Sequence, residues 1–304
     1  MNNYFFLLLL LALSCQAQQH REAPTEFDNY LGEYRIEDAD HGTKTNVTIQ
    51  GEQRIMTTNA LPNHQTGSFP NSGNPNRISA QQRTYRFTTK PTYTGEAKWV
   101  REPGVAVNGV KFEPGTAEVV QCESGENYRV EALQDLIDLG LDFNHAHVQP
   151  TGAYHYHGTP TSLVDHVHDD EDLVHIGFAM DGFMIYYSRS GQYQSSYKLI
   201  DEHREGTDCV YRNPHQRRNL DLAHTEADGT YQADWEYVSG LGDLDACNGI
   251  WLDGEYAYIV TDEYPYIGRC LMGAYQERRQ GPPPGGRRPG GGHPPGGGPP
   301  PPRQ

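Results

Sequence analysis

The sequence predicts a mainly β protein, with an antiparallel β-sandwich or barrel-like core, long loops and little helix. Short segments rich in β-branched and aromatic residues recur between Gly, Pro and Asn residues, which is the pattern of strands joined by turns. Only residues 131–139 (EALQDLIDL) have apolar side chains at helical spacing, and Gly140 follows them as a stop signal.

The predicted strands can be placed in order along the chain. Residues 176–187 (IGFAMDGFMIYY) form the most apolar long run and predict two buried strands hinged at Asp181-Gly182, a strong turn dipeptide. Residues 59–76 are rich in Pro, Asn, Gly and Ser and predict a long exposed loop. The other predicted strands are residues 46–49 and 54–58, as a hairpin around Gly51, and residues 83–88, 104–112, 117–121, 128–130, 235–238 and 256–260.

Both ends of the chain are set apart from this core. Residues 4–13 (YFFLLLLLAL) have the length of a signal-peptide core, and cleavage after Ala17 predicts a signal peptide at residues 1–17. The alternative is acylation of Cys15, which would make the chain a membrane-anchored lipoprotein. Residues 281–304 are almost entirely Pro and Gly and predict a disordered tail. Between them we expect an N-terminal β-rich segment at 18–107 and a second domain at 108–280.

Charge and cysteine content narrow the class of protein. The formal net charge is −16, from 24 Lys and Arg against 40 Asp and Glu, which argues against a nucleic-acid partner because phosphates would be repelled. Small molecules or glycans are the expected partners, with a membrane contact only through Cys15, and the oligomeric state is not predicted. The remaining four cysteines predict two disulfides in a secreted, periplasmic or cell-surface protein, with three pairings open: Cys122, Cys209, Cys247 and Cys270.

Residues 150–160 (PTGAYHYHGTP) alternate tyrosine with histidine. Alternation with period two is that of an extended strand, whose successive side chains point to opposite faces. His155 and His157 are therefore expected on one face, with Tyr154 and Tyr156 on the other. Two neighbouring imidazoles form a metal clamp, a proton-handling pair or a solvated face of a sheet.

The distribution of histidines favours the metal clamp. Three His-x-His pairs fall between residues 145 and 168, and His175 follows. Side chains at i and i+2 of a strand start about 6.6 Å apart, close enough for two rings to share an ion at metal–nitrogen distances of about 2.0–2.1 Å. Neutral imidazoles suit divalent transition metals, of which we expect copper or zinc. The predicted ligands are His147, His155, His157 and His175, whereas His166 and His168 belong to a charged, solvated loop.

A second segment of the chain resembles the Tyr-His-Tyr-His segment but keeps only its tyrosines. Residues 253–259 (DGEYAYI) resemble residues 151–157 (TGAYHYH), with both tyrosines kept and both histidines replaced by apolar residues. Because the tyrosines occur in both segments, we interpret them as packing residues. The histidines occur only in the first segment, which indicates a specific role there. Asp181 is either a turn former or the partner that orients a ligand histidine. The candidate catalytic residues are Tyr156, His157 and Asp181.

These motifs together resemble the YHYH-motif family of exported proteins. The resemblance covers about residues 108–275 and implies a YHYH-type domain at residues 108–280, without defining an activity. Similar proteins commonly carry a second Tyr-His-Tyr-His where this chain has residues 256–259 (YAYI). If two copies jointly build a site, this chain has lost half of it. The matching pieces are residues 108–110 (NGV), 147–157, 175–183 (HIGFAMDGF), 236–238 with 242–249, and 260–266 (VTDEYPY), closing at Cys270.

Three hypotheses follow for function. The first is an exported metal-binding protein of YHYH type, with the four predicted ligands and a metal-dependent enzymatic activity as its stronger form. The second is a metal-free lyase acting on an acidic glycan, with Tyr156 and His157 handling the proton and Arg189 or Arg212 holding the acid. The third is a non-catalytic secreted module whose 20 tyrosines contact glycans or matrix.

Overall fold

The computed structural model describes residues 30–167, 171–213 and 216–275, and it does not describe the side chains of residues 212–218. The predicted signal peptide at residues 1–17, the lipid-anchor alternative at Cys15 and the predicted tail at residues 281–304 lie outside the described residues, as does His168.

Within the described ranges the chain forms many short strands and very little helix. The only helical elements there are α1 (Thr161–His166) and a 3-10 turn (Gln232–Asp234). The strands are β1 (Tyr34–Asp38), β2 (Thr43–Gln50), β3 (Gln53–Thr58), β4 (Arg83–Thr88), β5 (Tyr93–Trp99), β6 (Gly104–Ala106), β7 (Lys111–Phe112), β8 (Val119–Gln121), β9 (Asn127–Arg129), β10 (Ala146–Val148), β11 (Tyr154–Tyr156), β12 (Leu173–Ala179), β13 (Met184–Ser188), β14 (Tyr197–Leu199), β15 (Cys209–Asn213), β16 (Gln216–Leu220), β17 (Trp235–Tyr237), β18 (Gly249–Leu252), β19 (Glu255–Val260) and β20 (Cys270–Gly273).

The predicted fold class is confirmed as mainly β and sandwich-like, and the described strands form no closed barrel. A four-stranded sheet, in the order β1-β2-β3-β4, packs against an eight-stranded sheet in the order β10-β11-β7-β6-β12-β13-β19-β18. The Phe87 and Phe178 rings meet between them at 5.5 Å, and the Tyr34 hydroxyl donates to the Val107 carbonyl at 2.8 Å. Most pairs are antiparallel, but β11 with β7 and β13 with β19 are parallel.

The turn dipeptides fall where the sequence predicts reversals, and one predicted strand contains a further one. Asp181-Gly182 joins β12 to β13 as expected. Residues 104–112, predicted as one strand, are the hairpin β6–β7 with Asn108-Gly109 at its turn. Gly109 has φ of 90°, and a Cβ there would lie 2.1 Å from Thr58 Oγ1. Only glycine therefore allows this turn to approach the neighbouring sheet.

The predicted helix at residues 131–139 is wrong. The segment has no helical turn, because the Gln134 side chain takes the hydrogen bonds that a helix would need. Its Oε1 accepts from the backbone N–H groups of Leu136 and Ile137 at 2.7 and 2.8 Å, and its Nε2 donates to the Ile137 carbonyl at 2.6 Å. The apolar residues Ile137 and Leu139 instead pack with Tyr211 in a second, smaller core. Tertiary burial thus overrides the local spacing.

The loop at residues 59–76 lacks strands, as predicted, but it is not exposed throughout. His64 and Asn74 are buried, and Asn74 Nδ2 donates to the Val148 carbonyl at 2.9 Å. The loop therefore covers the hairpin β10–β11 rather than projecting into solvent.

The eight-stranded sheet consists of two halves with the same connectivity. In the first half, the hairpin β6–β7 is followed by the hairpin β10–β11, and β11 pairs in parallel with β7. In the second half, β12–β13 and β18–β19 are arranged in the same way, and β19 pairs in parallel with β13. The halves meet where β6 pairs with β12 in antiparallel orientation. The resemblance between residues 151–157 and 253–259 is thus part of a larger structural repeat.

Two disulfides decide the pairing that the sequence left open. Cys122 bonds Cys209, and Cys247 bonds Cys270. No helix in the described part of the chain has the length and apolar character needed to cross a membrane. The predicted domain boundary between residues 107 and 108 falls in the turn between β6 and β7 and stays a prediction.

Candidate metal centre

Two neighbouring strands place three histidines together. In the antiparallel pair β10–β11, His147 lies directly opposite His155, and facing residues of such a pair project from the same side of the sheet. His157 follows His155 by two residues and continues the ladder, since its backbone N–H donates to the His145 carbonyl at 2.8 Å. The period-two alternation and the hairpin register therefore act together to assemble the cluster.

The three imidazoles are in mutual contact. The ring centroids of His147, His155 and His157 lie 4.6 to 4.8 Å apart. One possible ligand atom from each ring lies within 4.8 Å of the other two. His155 and His157 are each only 2% exposed, whereas His147 is half-buried and is the most solvent-accessible of the three.

Backbone carbonyls orient each ring. His147 Nδ1 faces the Leu139 carbonyl at 2.9 Å, His155 Nδ1 faces Ala153 at 3.3 Å and His157 Nδ1 faces Pro114 at 3.4 Å. Because a carbonyl only accepts hydrogen bonds, a proton on Nδ1 satisfies each contact and leaves the lone pair on Nε2; the contact is short for His147 and longer for His155 and His157.

The Nε2 atoms of His147 and His157 lie 3.1 Å apart. With both Nδ1 atoms protonated, two lone pairs face each other, and a cation between the rings satisfies the contact, as does a tautomer of one ring with its proton on Nε2. A carbonyl on Nδ1 is also the usual partner of a metal-bound histidine. The donor geometry therefore fits a cation held by Nε2 atoms.

Burial disfavours the positively charged, doubly protonated form of all three imidazoles. It lowers the pKa of His155 and His157 well below the ordinary histidine value, and the neighbouring imidazoles lower both further. The pKa of His147 is also lowered, chiefly by burial. Three neutral nitrogen donors in a closed site are the ligand set that zinc and copper prefer.

A buried ion-pair network borders the cluster. Lys111 lies opposite His155 in the parallel pair β7–β11, and its Nζ contacts Glu113 at 2.5 Å and Glu102 at 2.7 Å. Gln149 Nε2 donates to Glu113 at 2.7 Å. These contacts pair the lysine charge with carboxylates, and that charge still contributes to lowering the pKa of His155 and His157.

His175 lies apart from the other three predicted ligands. Its ring packs against Phe178 and Tyr186, with centroids 5.0 and 5.4 Å away, and its Nε2 donates to the Gly177 carbonyl at 2.9 Å. The bulge between His175 and Gly177 in β12 interrupts the strand at this point. The sequence does not encode the strand order that places β12 three positions away from β11 in the sheet.

Asp181 occupies the β12–β13 turn and contacts no histidine of the cluster. Its Oδ2 accepts from the Tyr258 hydroxyl at 2.5 Å and from the Gly273 N–H at 2.9 Å. Burial raises its pKa. Of the two roles that the sequence allowed, these contacts correspond to the structural one.

Tyr156 faces away from the histidines and has a partner that the sequence analysis missed. Its hydroxyl donates to His64 Nε2 at 2.6 Å, because His64 Nδ1 donates to the Gln65 carbonyl and so leaves Nε2 as an acceptor. Asn108 Nδ2 donates to the same hydroxyl at 3.0 Å. Burial raises the pKa of Tyr156. No local signal in the loop at 59–76 marks His64, which meets Tyr156 only through the fold.

The remaining histidines of the motif region have other surroundings. His145 adopts φ of 52°, and its Nδ1 donates to the Thr159 carbonyl at 2.9 Å. The left-handed backbone turns this side chain out of the ladder position opposite His157. His166 ends α1 rather than lying in a loop.

The second half of the sheet holds apolar residues at the positions of the cluster. Its hairpin β18–β19 pairs Ile250 with Ala257, where the first half pairs His147 with His155. Ile259 N–H donates to the Asn248 carbonyl at 2.8 Å, as His157 does to His145. The same backbone arrangement therefore occurs once with three imidazoles and once with Ile250, Ala257 and Ile259.

The fold and the site define a mainly β protein with two disulfides and a buried cluster of three histidines in the first of two similar half-sheets. A family model described as YHYH protein matches residues 84–273, and the chain belongs to this family. Comparison with curated proteins and with solved structures finds no match.

Proposed function

We propose that this chain is an exported metal-binding protein in which His147, His155 and His157 hold one divalent transition-metal ion, zinc or copper. The observation that carries the proposal is the 3.1 Å approach of two Nε2 atoms in rings whose Nδ1 atoms both face a backbone carbonyl. His175 is not included in the proposed ligand set because its nitrogens lie outside the cluster.

Three protein ligands leave a fourth position of a tetrahedral ion for water or a small molecule, which is the arrangement of catalytic zinc sites. When bound, the ion would act there as a Lewis acid. The chain's own contribution is to keep three rings neutral, to turn their Nδ1 atoms toward carbonyls and to bury His155 and His157. The two disulfides are consistent with an oxidising compartment and support export.

The metal-free lyase has less support from the geometry. Tyr156 is fully buried and its pKa is raised, so it is neither in contact with a polymer nor easily ionised. Arg189 donates Nη2 to the carbonyls of Val164 and Val167 at 3.1 and 2.8 Å, and the side chain of Arg212 lies outside the described residues.

The second half of the eight-stranded sheet provides the substitutions for a test of metal binding. The triple variant His147→Ile, His155→Ala and His157→Ile installs the residues that the second half carries at the same backbone positions. We expect it to fold and to lose bound zinc or copper, because apolar side chains suit this hairpin but cannot ligate. The measurement is elemental analysis after loading and dialysis, together with competition against a chromophoric chelator.

His41→Ala is the matched control, since His41 is an exposed histidine in the β1–β2 turn, outside the cluster, where it pairs with Asp38. It should retain one metal equivalent with unchanged affinity. Equal metal content in the wild-type protein and a folded triple variant would refute the proposal.

A further inference from the structure

A basic cavity lies beside the candidate metal centre. Its volume is about 530 Å³, and Arg101, Arg129, Arg269 and Trp99 form part of its wall. No Asp or Glu is among the described residues that line it. Three guanidinium groups at one cavity are unexpected in a chain with 24 basic and 40 acidic residues, and they give this place a charge opposite to that of the whole molecule.

The three arginines differ in how far their charge is already neutralised. Arg101 Nε contacts Glu113 at 2.5 Å, and Arg269 Nη2 contacts Glu131 at 2.6 Å, with both carboxylates almost completely buried behind the wall. Arg129 Nη1 donates to the Thr116 carbonyl at 2.6 Å, and it makes no ion pair with a described carboxylate. Arg129 is therefore the cation with most charge left for a ligand.

The rest of the wall is suited to a small polar molecule with one apolar face. Trp99 is half-buried and offers an aromatic surface, and Pro114 and Val100 add apolar area. Gln232 supplies a neutral hydrogen-bonding group, and Thr116 Oγ1, which donates its proton to the Val130 carbonyl at 2.6 Å, remains an acceptor. A volume of this size lies within the range of ligand pockets, about 300–1,000 Å³.

We propose that this cavity binds a small hydroxylated carboxylic acid of the size of a uronic acid. The carboxylate pairs with Arg129, with Arg101 at its side, because a guanidinium presents two parallel donors that match the two carboxylate oxygens. The body of the ligand lies against Trp99, and its hydroxyl groups face Thr116 and Gln232.

The cavity and the histidine cluster share a wall. The Pro114 carbonyl that accepts from His157 Nδ1 belongs to a residue lining the cavity, and the charge of Arg269 contributes to lowering the pKa of His157. No histidine is among the described residues that line the cavity, so the acid site does not depend on the metal.

The test is to titrate the protein separately with sodium D-galacturonate, neutral D-galactose and inorganic phosphate. Binding is measured by calorimetry and tryptophan fluorescence, with EDTA present throughout. Galacturonate should bind saturably and change the fluorescence, and Trp99→Phe should abolish that change. Arg129→Gln should weaken galacturonate binding at least tenfold, which corresponds to one lost charge-assisted hydrogen bond.

Arg86→Gln is the control, because Arg86 is an exposed arginine on β4 outside the cavity. It should bind galacturonate as the wild-type protein does. Binding of galactose or phosphate as tight as that of galacturonate would overturn the proposal, as would absence of binding or an unchanged affinity in Arg129→Gln. Metal content, measured on separate metal-loaded samples without EDTA, should be unaffected by Arg129→Gln, so a failure of this site is distinguishable from a failure of the metal centre.

Discussion

His147 and His157 face each other through Nε2 because the Nδ1 atom of each ring is turned toward a backbone carbonyl. Being a buried histidine does not by itself determine which ring nitrogen faces a carbonyl. His175 is also a buried neutral histidine, yet its Nε2 carries the proton and donates to Gly177, and its Nδ1 has no hydrogen-bond partner among the described residues. The chemistry of each imidazole therefore depends on which nitrogen finds a carbonyl.

His175 should make folding stability depend on pH. Burial lowers its pKa to about 4, with the charge of Arg54 adding to the effect, whereas an unfolded histidine has a pKa of about 6.5. Above pH 6.5 both states are neutral and the stability is fully present. As the pH falls from about 6.5 to about 4, the unfolded state binds a proton that the native state excludes, and up to about 3 kcal/mol is lost.

The measurement is urea unfolding of the wild-type protein and of His175→Gln at several pH values between 4 and 7. The variant should show a smaller loss of unfolding free energy on acidification than the wild type. Parallel curves for the two proteins would contradict this role of His175.

The hairpins β10–β11 and β18–β19, one in each half of the eight-stranded sheet, are preceded by the same set of aspartate hydrogen bonds. Asp142 Oδ2 accepts from the Tyr154 hydroxyl at 2.8 Å, and Asp245 Oδ2 accepts from the Tyr256 hydroxyl at 2.6 Å. The Oδ1 of each aspartate accepts the N–H of the residue two positions later. A left-handed residue follows in each case, His145 or Asn248. These bonds fix the entry into β10 and β18 and hence the register of each hairpin.

Asp142→Ala should weaken both folding and metal binding. It leaves the buried Tyr154 hydroxyl without its acceptor and removes the acceptor of the Gly67 and Asn144 N–H groups, at a cost of about 2–4 kcal/mol. Because β10 carries His147, we also expect metal affinity to fall about tenfold. Urea unfolding and chelator competition measure the two effects.

Asp245→Ala is the matched control in the half without histidines. It should cost a similar unfolding free energy but leave metal affinity unchanged. If both variants changed metal affinity equally, the hairpin entry would not position the cluster.

At the scale of the whole molecule, the main core lies between the four-stranded and eight-stranded sheets, and the second core surrounds Tyr211 in the sheet β16-β15-β8-β9. Each disulfide belongs to one of these regions. Cys122–Cys209 joins β15 to the segment after β8, and Cys247–Cys270 lies beside the second half-sheet. The two bonds differ in the length of chain they close, with separations of 87 and 23 residues.

Removing Cys122–Cys209, the disulfide that closes the longer loop, should lower the free energy of unfolding more than removing Cys247–Cys270. The loop-entropy relation gives about 4.6 kcal/mol for Cys122–Cys209 and about 3.4 kcal/mol for Cys247–Cys270. Paired Cys→Ser variants, compared by urea unfolding under non-reducing conditions, measure the difference. A larger loss for the Cys247 and Cys270 pair would contradict the prediction.

The sequence by itself determined the mainly β class, most strand positions, the Asp181-Gly182 turn and the shared face of His155 and His157, because these depend on local period and turn chemistry. Only the tertiary structure decided that His147 joins them and His175 does not, that Gln134 prevents the predicted helix, and that His64 reaches Tyr156. Each of these depends on strand order or on side chains from distant segments, which a local pattern does not encode. The cysteine pairing belongs to the same class, since spacing alone allowed three connectivities and the fold brings together only the pairs observed.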